Sequence, residues 1–377
     1  MSATQRYATL DGLRGVAAFI VVCYHTQVFR ASSAIAPHGY LAVDFFFMLS
    51  GFVIAGAYEK KLEAGFTVIK FFRHRVIRLY PVALAGVLLG ALRLLAQYAI
   101  SPSESEPAPW IAMAILLNIF MLPILSQTHF RGELFPANGP IWSLFGEFLV
   151  NLGWSVLVSL KSSFTVTVFL MTASGVTLFC LIHQAAVDDL GWSSQYLLGA
   201  ACRVTFSFLL GTVIYRFRGA LPNFPRKLGI MLPWLTMTAL LLVLGMPWFE
   251  TVWDAVAIFV FLPAILTLGV LCGRTPTAPV RSLLGEMSYP VYAVHFPIFL
   301  LIFEFRRSIF PSLDVSAAIS IAVVLALVAA FALNRFDHWL RADPARKSTS
   351  PRSARDTLRA LAQIARAEFK ALLERGA

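Results

Sequence analysis

Residues 10–29 read LDGLRGVAAFIVVCYHTQVF, an apolar rod about one bilayer long that carries two ionisable side chains in its interior, Arg14 and His25. They lie eleven residues apart, which is about three helical turns and about 16 Å of rise, so both fall on one stripe of a helix. Ionisable groups inside a membrane helix are costly, and the stripe therefore marks a functional site. The plainer alternative has Arg14 snorkelling to the headgroups and His25 making a structural hydrogen bond.

Working outward, the whole chain shares this character. Of its 377 residues 58% are hydrophobic and only 14% charged, with mean hydropathy +0.73, which excludes an ordinary soluble domain. The net charge of +11 does not point to nucleic acid, because the basic residues cluster in short connections between apolar runs, where they orient helices in a bilayer. Cys23, Cys180, Cys202 and Cys272 sit in or at the end of apolar runs without metal-site or disulfide spacing, and read as packing residues. No metal site is expected. The first apolar run lacks a small-residue cleavage pattern and reads as a retained helix.

Eleven apolar runs occur, at about 12–29, 39–58, 79–100, 110–125, 140–160, 164–184, 196–216, 229–247, 252–272, 286–305 and 315–334. Lys60, Lys61, Lys70, Arg73, Arg75 and Arg78 place the second connection, and with it the N-terminus, in the cytoplasm. Arg216, Arg218, Arg226 and Lys227 mark another inner loop, whereas the loops with Glu104 and Glu106, or Asp188 and Asp189, belong outside. Eleven crossings cannot satisfy this pattern. If the shortest run, 110–125, is re-entrant or interfacial, ten spans remain and the basic loops fall on one side, with the pair Arg306 and Arg307 as the main exception. The expected fold is an all-α polytopic membrane bundle over residues 1–340. Residues 341–377 read as a cytoplasmic linker, Asp343 to Arg355, followed by an amphipathic basic helix that either lies on anionic lipid or is solvated.

Further polar clusters converge on the first. Asp44, in the second span, enters from the opposite side to a depth similar to that of His25, so a hairpin would let its carboxylate orient the imidazole. Its alternative role is capping a buried hydrogen-bond network. Arg75 and Arg78 are neighbours on a helix face just before Pro81, suited to gripping phosphate or to plain positive-inside anchoring. Ser143 and Glu147 are four apart beside Trp142, while Ser288, Tyr292 and His295 form one stripe with Tyr289 alongside. Singly such residues glue bundles; together they imply a hydrated pocket.

The ordered segments LDGLRGVAAFIVVCYH, GYLAVDFFFMLSGFVI, FFRHRVIRLYP, PIWSLFGEF and LGEMSYPVYAVHFP resemble, across residues from about 7 to 340, the acyltransferase 3 family of bacterial integral-membrane acyltransferases. The resemblance implies an enzyme of the bacterial inner membrane. It would move an acyl group, commonly acetyl, from cytoplasmic acyl-coenzyme A, a co-substrate and not a bound cofactor, to a hydroxyl of a glycan or similar acceptor. On chemical grounds His25 is the expected general base, oriented by Asp44 or Glu147, because a sugar hydroxyl is a weak nucleophile at neutral pH. Arg14, Arg75 and Arg78 would hold the coenzyme's phosphates, with the pantetheine arm running up the first helix. Trp142, Ser143, Tyr289, Tyr292 and His295 would line the pocket, Ser143 or Tyr292 donating to the oxyanion. The competing class is a proton-coupled transporter of a lipid-linked sugar or small solute, since intramembrane His, Asp and Glu also relay protons.

Overall fold

The computed structural model describes residues 7–29, 35–184, 187, 189–221, 231–247, 250–272 and 279–342. Each apolar run becomes a helix, because in hydrocarbon a helix satisfies its backbone groups within one segment. The helices are α1 Ala8–His25, α2 Ala42–Glu63, α3 Val68–Ile100, α4 Ala108–Ile119, α5 Ile141–Ser159, α6 Phe164–Ile182, α7 Leu197–Phe217 and α8 Leu232–Gly245. Next come α9, formed by the consecutive stretches Glu250–Val256, Ala257–Phe261 and Leu262–Leu271, then α10 Pro279–Ser308 and α11 Val315–Ala342. The middle stretch of α9 widens to π geometry just before Pro263, whose missing N–H interrupts the regular ladder.

Among the described residues nine helices are long and apolar enough to cross a membrane, leaving α4 and α8 as the short ones. α4 doubles back. Glu106, just ahead of it, accepts from the backbone N–H of Phe130 at 2.7 Å and pairs with His129 at 2.8 Å, so the chain returns to the end it left. The returning backbone is satisfied by fully buried Asn118, which accepts from Ala137 N–H and donates to Leu122 O. α8, by contrast, traverses: its Met237 packs at Gly12 near the start of α1, and Leu244 O accepts from His38 N–H beside the start of α2. Among the described residues, ten helices thus run the length of the bundle around one re-entrant segment.

α3 begins at Val68, so Pro81 lies well inside it and leaves the carbonyl of Ile77 without its helical donor. The two compact units are residues 1–334, which hold the bundle, and 335–377. The linker and basic helix expected beyond residue 340 lie outside the described residues, apart from the end of α11.

Two close approaches set the geometry. At Gly15 an added Cβ would meet Leu284 backbone atoms at 2.8 Å, so only glycine lets α1 lie directly on α10. Gly51 and Gly211 do the same for α2 and α7, where a Cβ would fall 2.0 Å from Phe208 O and 1.9 Å from Met48 O.

Candidate functional site

The α1–α10 contact brings His25 against His295. His25 Nδ1 lies 2.9 Å from Val21 O, one turn back on its own helix, and 3.0 Å from His295 Nε2. A carbonyl oxygen only accepts, so His25 Nδ1 carries the proton and shares it between those two atoms. His295 obeys the same rule: its Nδ1 donates to Val291 O at 3.0 Å and Tyr292 O at 2.9 Å, which leaves Nε2 as the acceptor. The tautomers follow from three carbonyls. In the neutral pair His25 Nε2 keeps a bare lone pair, and the ring is held edge-on by Phe296 and Tyr24. The imidazole faces the bundle.

Next to this pair, Tyr292 OH meets Ser143 Oγ at 2.7 Å and Pro140 O at 3.1 Å, and Ser143 Oγ donates to Pro140 O at 2.9 Å. Both hydroxyl protons are engaged within this trio, so neither points at an open oxyanion position. Tyr289 OH donates to Leu79 O at 2.5 Å and fastens α10 to α3. Asn138, from the returning segment, donates to Ala293 O at 2.8 Å and fixes the same stretch of α10 from the other side.

The carboxylates are elsewhere. Asp44 is fully buried and belongs to Arg203 of α7, which approaches it at 2.6 Å through Nη2 and 3.2 Å through Nε. The same guanidinium donates to Val187 O and Leu190 O, both at 2.9 Å, and to Tyr40 O at 3.2 Å. Asp44 therefore does not orient His25; it balances a cation that ties α2, α7 and the chain before α7 together. Glu147 is likewise committed, to Arg75 of α3 in a short ion pair and to Ser50 Oγ of α2 at 2.7 Å. The partner that does orient His25 is His295. Trp142 lies under the Arg203 guanidinium, 5.5 Å from ring to cation, and so walls that ion pair.

Arg14 sits half-buried on α1, 3.4 Å from Asp11, while Arg78 is exposed one turn beyond buried Arg75. With Arg75 held by Glu147, Arg75 and Arg78 do not form a matched clamp. Between Arg14 and His25 the expected passage along α1 is packed, with Ala18, Val21 and Val22 all buried. A more open face belongs to α2, where Phe46, Ser50 and Ala57 are half-buried and Val53 is 38% exposed. Phe46 touches the Tyr292 ring and Ser50 touches Glu147, so this face looks toward the polar interior.

The sequence model of the acyltransferase 3 family, described as an acyltransferase domain, matches residues 7–335. The chain belongs to the acyltransferase 3 family. This acyltransferase is 35% identical over 189 residues to protein 2 in the picA locus of Rhizobium radiobacter, covering 47% of the chain and 95% of that relative. It is 25% identical over 282 residues to the exopolysaccharide production protein ExoZ of Rhizobium meliloti (strain 1021), covering 71% of the chain and 80% of that protein. No solved structure matches. The chain is thus a multi-pass membrane acyltransferase, with no group of metal-ligating side chains among its described residues.

Arg203 and His38 are the residues that sequence reasoning passed over. Arg203 is a cation in an apolar run, and Asp44 the matching anion in another. Charge balance in hydrocarbon was the available signal. His38 pairs with Asp254 at 2.9 Å, and Tyr40 OH donates to the same carboxylate at 2.7 Å, an interaction across more than 200 residues that no spacing rule could show.

Proposed function

We propose that this enzyme transfers an acyl group from acyl-coenzyme A to a hydroxyl of a glycan, with His25 Nε2 as the general base. The observation that carries the reading is the His25–His295 pair, in which Val21 O on one ring, and Val291 O and Tyr292 O on the other, leave Nε2 of His25 unprotonated. In the reaction Nε2 takes the acceptor's hydroxyl proton as that oxygen attacks the thioester carbonyl. The tetrahedral intermediate then expels the coenzyme thiolate, which receives the same proton from Nε2, so the ring ends as it began. While His25 is an imidazolium, His295 Nε2 accepts from its Nδ1–H and holds the positive ring in place, the part played by an acid in other base–orienter pairs. The glycan as acceptor is supported by the name of the exopolysaccharide relative. Acetyl is the acyl group the family resemblance favours.

The coenzyme's anionic end belongs at the bundle end bearing Arg78 and Arg14, and its arm lies against the half-open face of α2, past Ser50 and Glu147. That end faces the cytoplasm of a bacterial inner membrane, with both termini on the same side, because Lys60, Lys61, Lys70 and Arg73 are concentrated there. The test is turnover of radiolabelled acetyl-coenzyme A by the purified protein with membrane glycan. Wild type labels the glycan, while His25→Ala loses roughly 100-fold to 10,000-fold of the rate. Native-rate transfer by that variant would remove His25 from the chemistry, and solute uptake without acyl transfer would favour a carrier.

A further inference from the structure

The end of the bundle where α2 and α7 finish and α5 turns into α6 contains a two-lobed crevice away from His25. One lobe, of about 410 Å³, is lined by Glu63, Val158, Lys161 and Arg216 among others. The second, of about 280 Å³, shares Glu63 and Arg216 and adds Glu59, Lys60 and Arg218. The lobes together present four cations to two carboxylates. Two of the cations are fixed in place. Arg216 Nε donates to Glu59 at 2.6 Å with its guanidinium 4.9 Å over the Phe164 ring, and Arg218 lies 3.6 Å over Tyr215 while donating to Tyr215 O at 2.6 Å. Lys161 is exposed at the rim, at a turn where its backbone has φ of +52°.

The walls are not polar throughout. Leu157 and Val158 line the larger lobe, and Leu160, Val166 and Phe169 are exposed on the adjoining faces of α5 and α6, which look out toward lipid. A ligand with a phosphate at one end and hydrocarbon at the other matches this arrangement; a free phosphate would use the cations and leave the apolar flank uncovered. Basic pockets between membrane helices at a charged leaflet have the right electrostatics for such a headgroup.

We infer that this crevice binds the phosphate headgroup of an anionic phospholipid, separately from the acyl-transfer site. The inference stands whether or not His25 is the base, because its readout is lipid retention. The full chain is purified from a detergent mixture of equal phosphatidylglycerol and phosphatidylcholine, and the lipids it keeps are counted by native mass spectrometry. Wild type retains phosphatidylglycerol preferentially. Lys161→Gln combined with Arg218→Gln lowers that preference by about twentyfold, Lys161→Arg leaves it intact, and Glu63→Gln, which removes a competing carboxylate, raises it. Lys161 is exposed and Arg218 half-buried, and unchanged thermal unfolding confirms that the variant folds. An unaltered lipid ratio in the double variant overturns the inference. So does displacement of phosphatidylglycerol by coenzyme A added alone, which would make the crevice a coenzyme phosphate site.

Discussion

His25 and His295 are held at 3.0 Å by a single shared proton, and the energetic meaning of that contact is testable at one side chain. Replacing His295 with leucine removes the lone pair that faces Nδ1–H and leaves the His25 ring free to turn about its χ2 torsion. Glutamine retains an acceptor oxygen on a flexible chain. We expect His295→Leu to lower kcat by about 100-fold with little change in the acyl-donor KM, and His295→Gln to recover part of the loss. Steady-state kinetics on the two purified variants checks this; equal activity in both would show that the acceptor atom is irrelevant. The sequence made both histidines visible as members of polar stripes but could not pair them, because the 270 residues between them are spanned only by tertiary packing. It assigned Asp44 to His25 on depth alone. Depth is a helical coordinate, whereas azimuth is set by which neighbour packs on which face, and Asp44 turns toward α7, where Arg203 satisfies it with better geometry than a half-buried imidazole would.

For the helices themselves the sequence was a good guide, since an apolar run of bilayer length has few alternatives to a helix. The exceptions have physical reasons. α3 extends eleven residues ahead of its apolar run because polar FFRHRVIR is still a helix-forming sequence, capped by Thr67 at Lys70 N–H. Which glycines matter was illegible, because close approach depends on the partner helix. Gly211→Val should therefore lower stability by about 1–3 kcal/mol by forcing α2 from α7. Gly153→Ala, in the same bundle with nothing within 4 Å of the added carbon, should be neutral or stabilise by up to about 1 kcal/mol. Thermal unfolding in one detergent compares them, and equal shifts would refute the packing argument. The re-entrant segment adds a pH-dependent case. Glu133, half-buried between α4 and α5, has its carboxyl pushed up to about 7 by burial, which outweighs the opposing pull of Arg93 and Arg131. Between the ordinary value of 4.5 and about 7 the folded chain holds a proton that the unfolded chain has released, so stability falls as pH rises through that window. Glu133→Gln should consequently be more heat-stable than wild type at pH 8 and indistinguishable from it at pH 5; the same difference at both values would show that Glu133 does not titrate there.

Across the whole molecule, charge separates by end. Lys60, Lys61, Lys70, Arg73, Arg78, Lys161, Arg216 and Arg218 gather where α2 ends and α3 begins, while Glu104, Glu106, Glu133 and Asp314 lie at the opposite end. The main exception to the loop-charge pattern, Arg306 and Arg307, makes local contacts. Arg307 pairs with Glu104 at 2.7 Å, which balances its charge, and Arg306 donates to Leu313 O at 2.8 Å, which satisfies its N–H. This sidedness matters for the proposed function, in which a thioester supplied from the cytoplasm and a glycan hydroxyl would meet at one imidazole. It also predicts an orientation that can be read without any activity. With Cys23, Cys180, Cys202 and Cys272 replaced by alanine, Ser163→Cys reports on the α5–α6 turn and Ser103→Cys on the turn before α4, both exposed positions. A membrane-impermeant maleimide applied to intact spheroplasts should label Ser103→Cys and spare Ser163→Cys until the membrane is opened. The reverse pattern would place the basic end outside. The coenzyme would then have no cytoplasmic route to His25 past Ser50 and Glu147, and the direction assigned to the transfer would have to be abandoned.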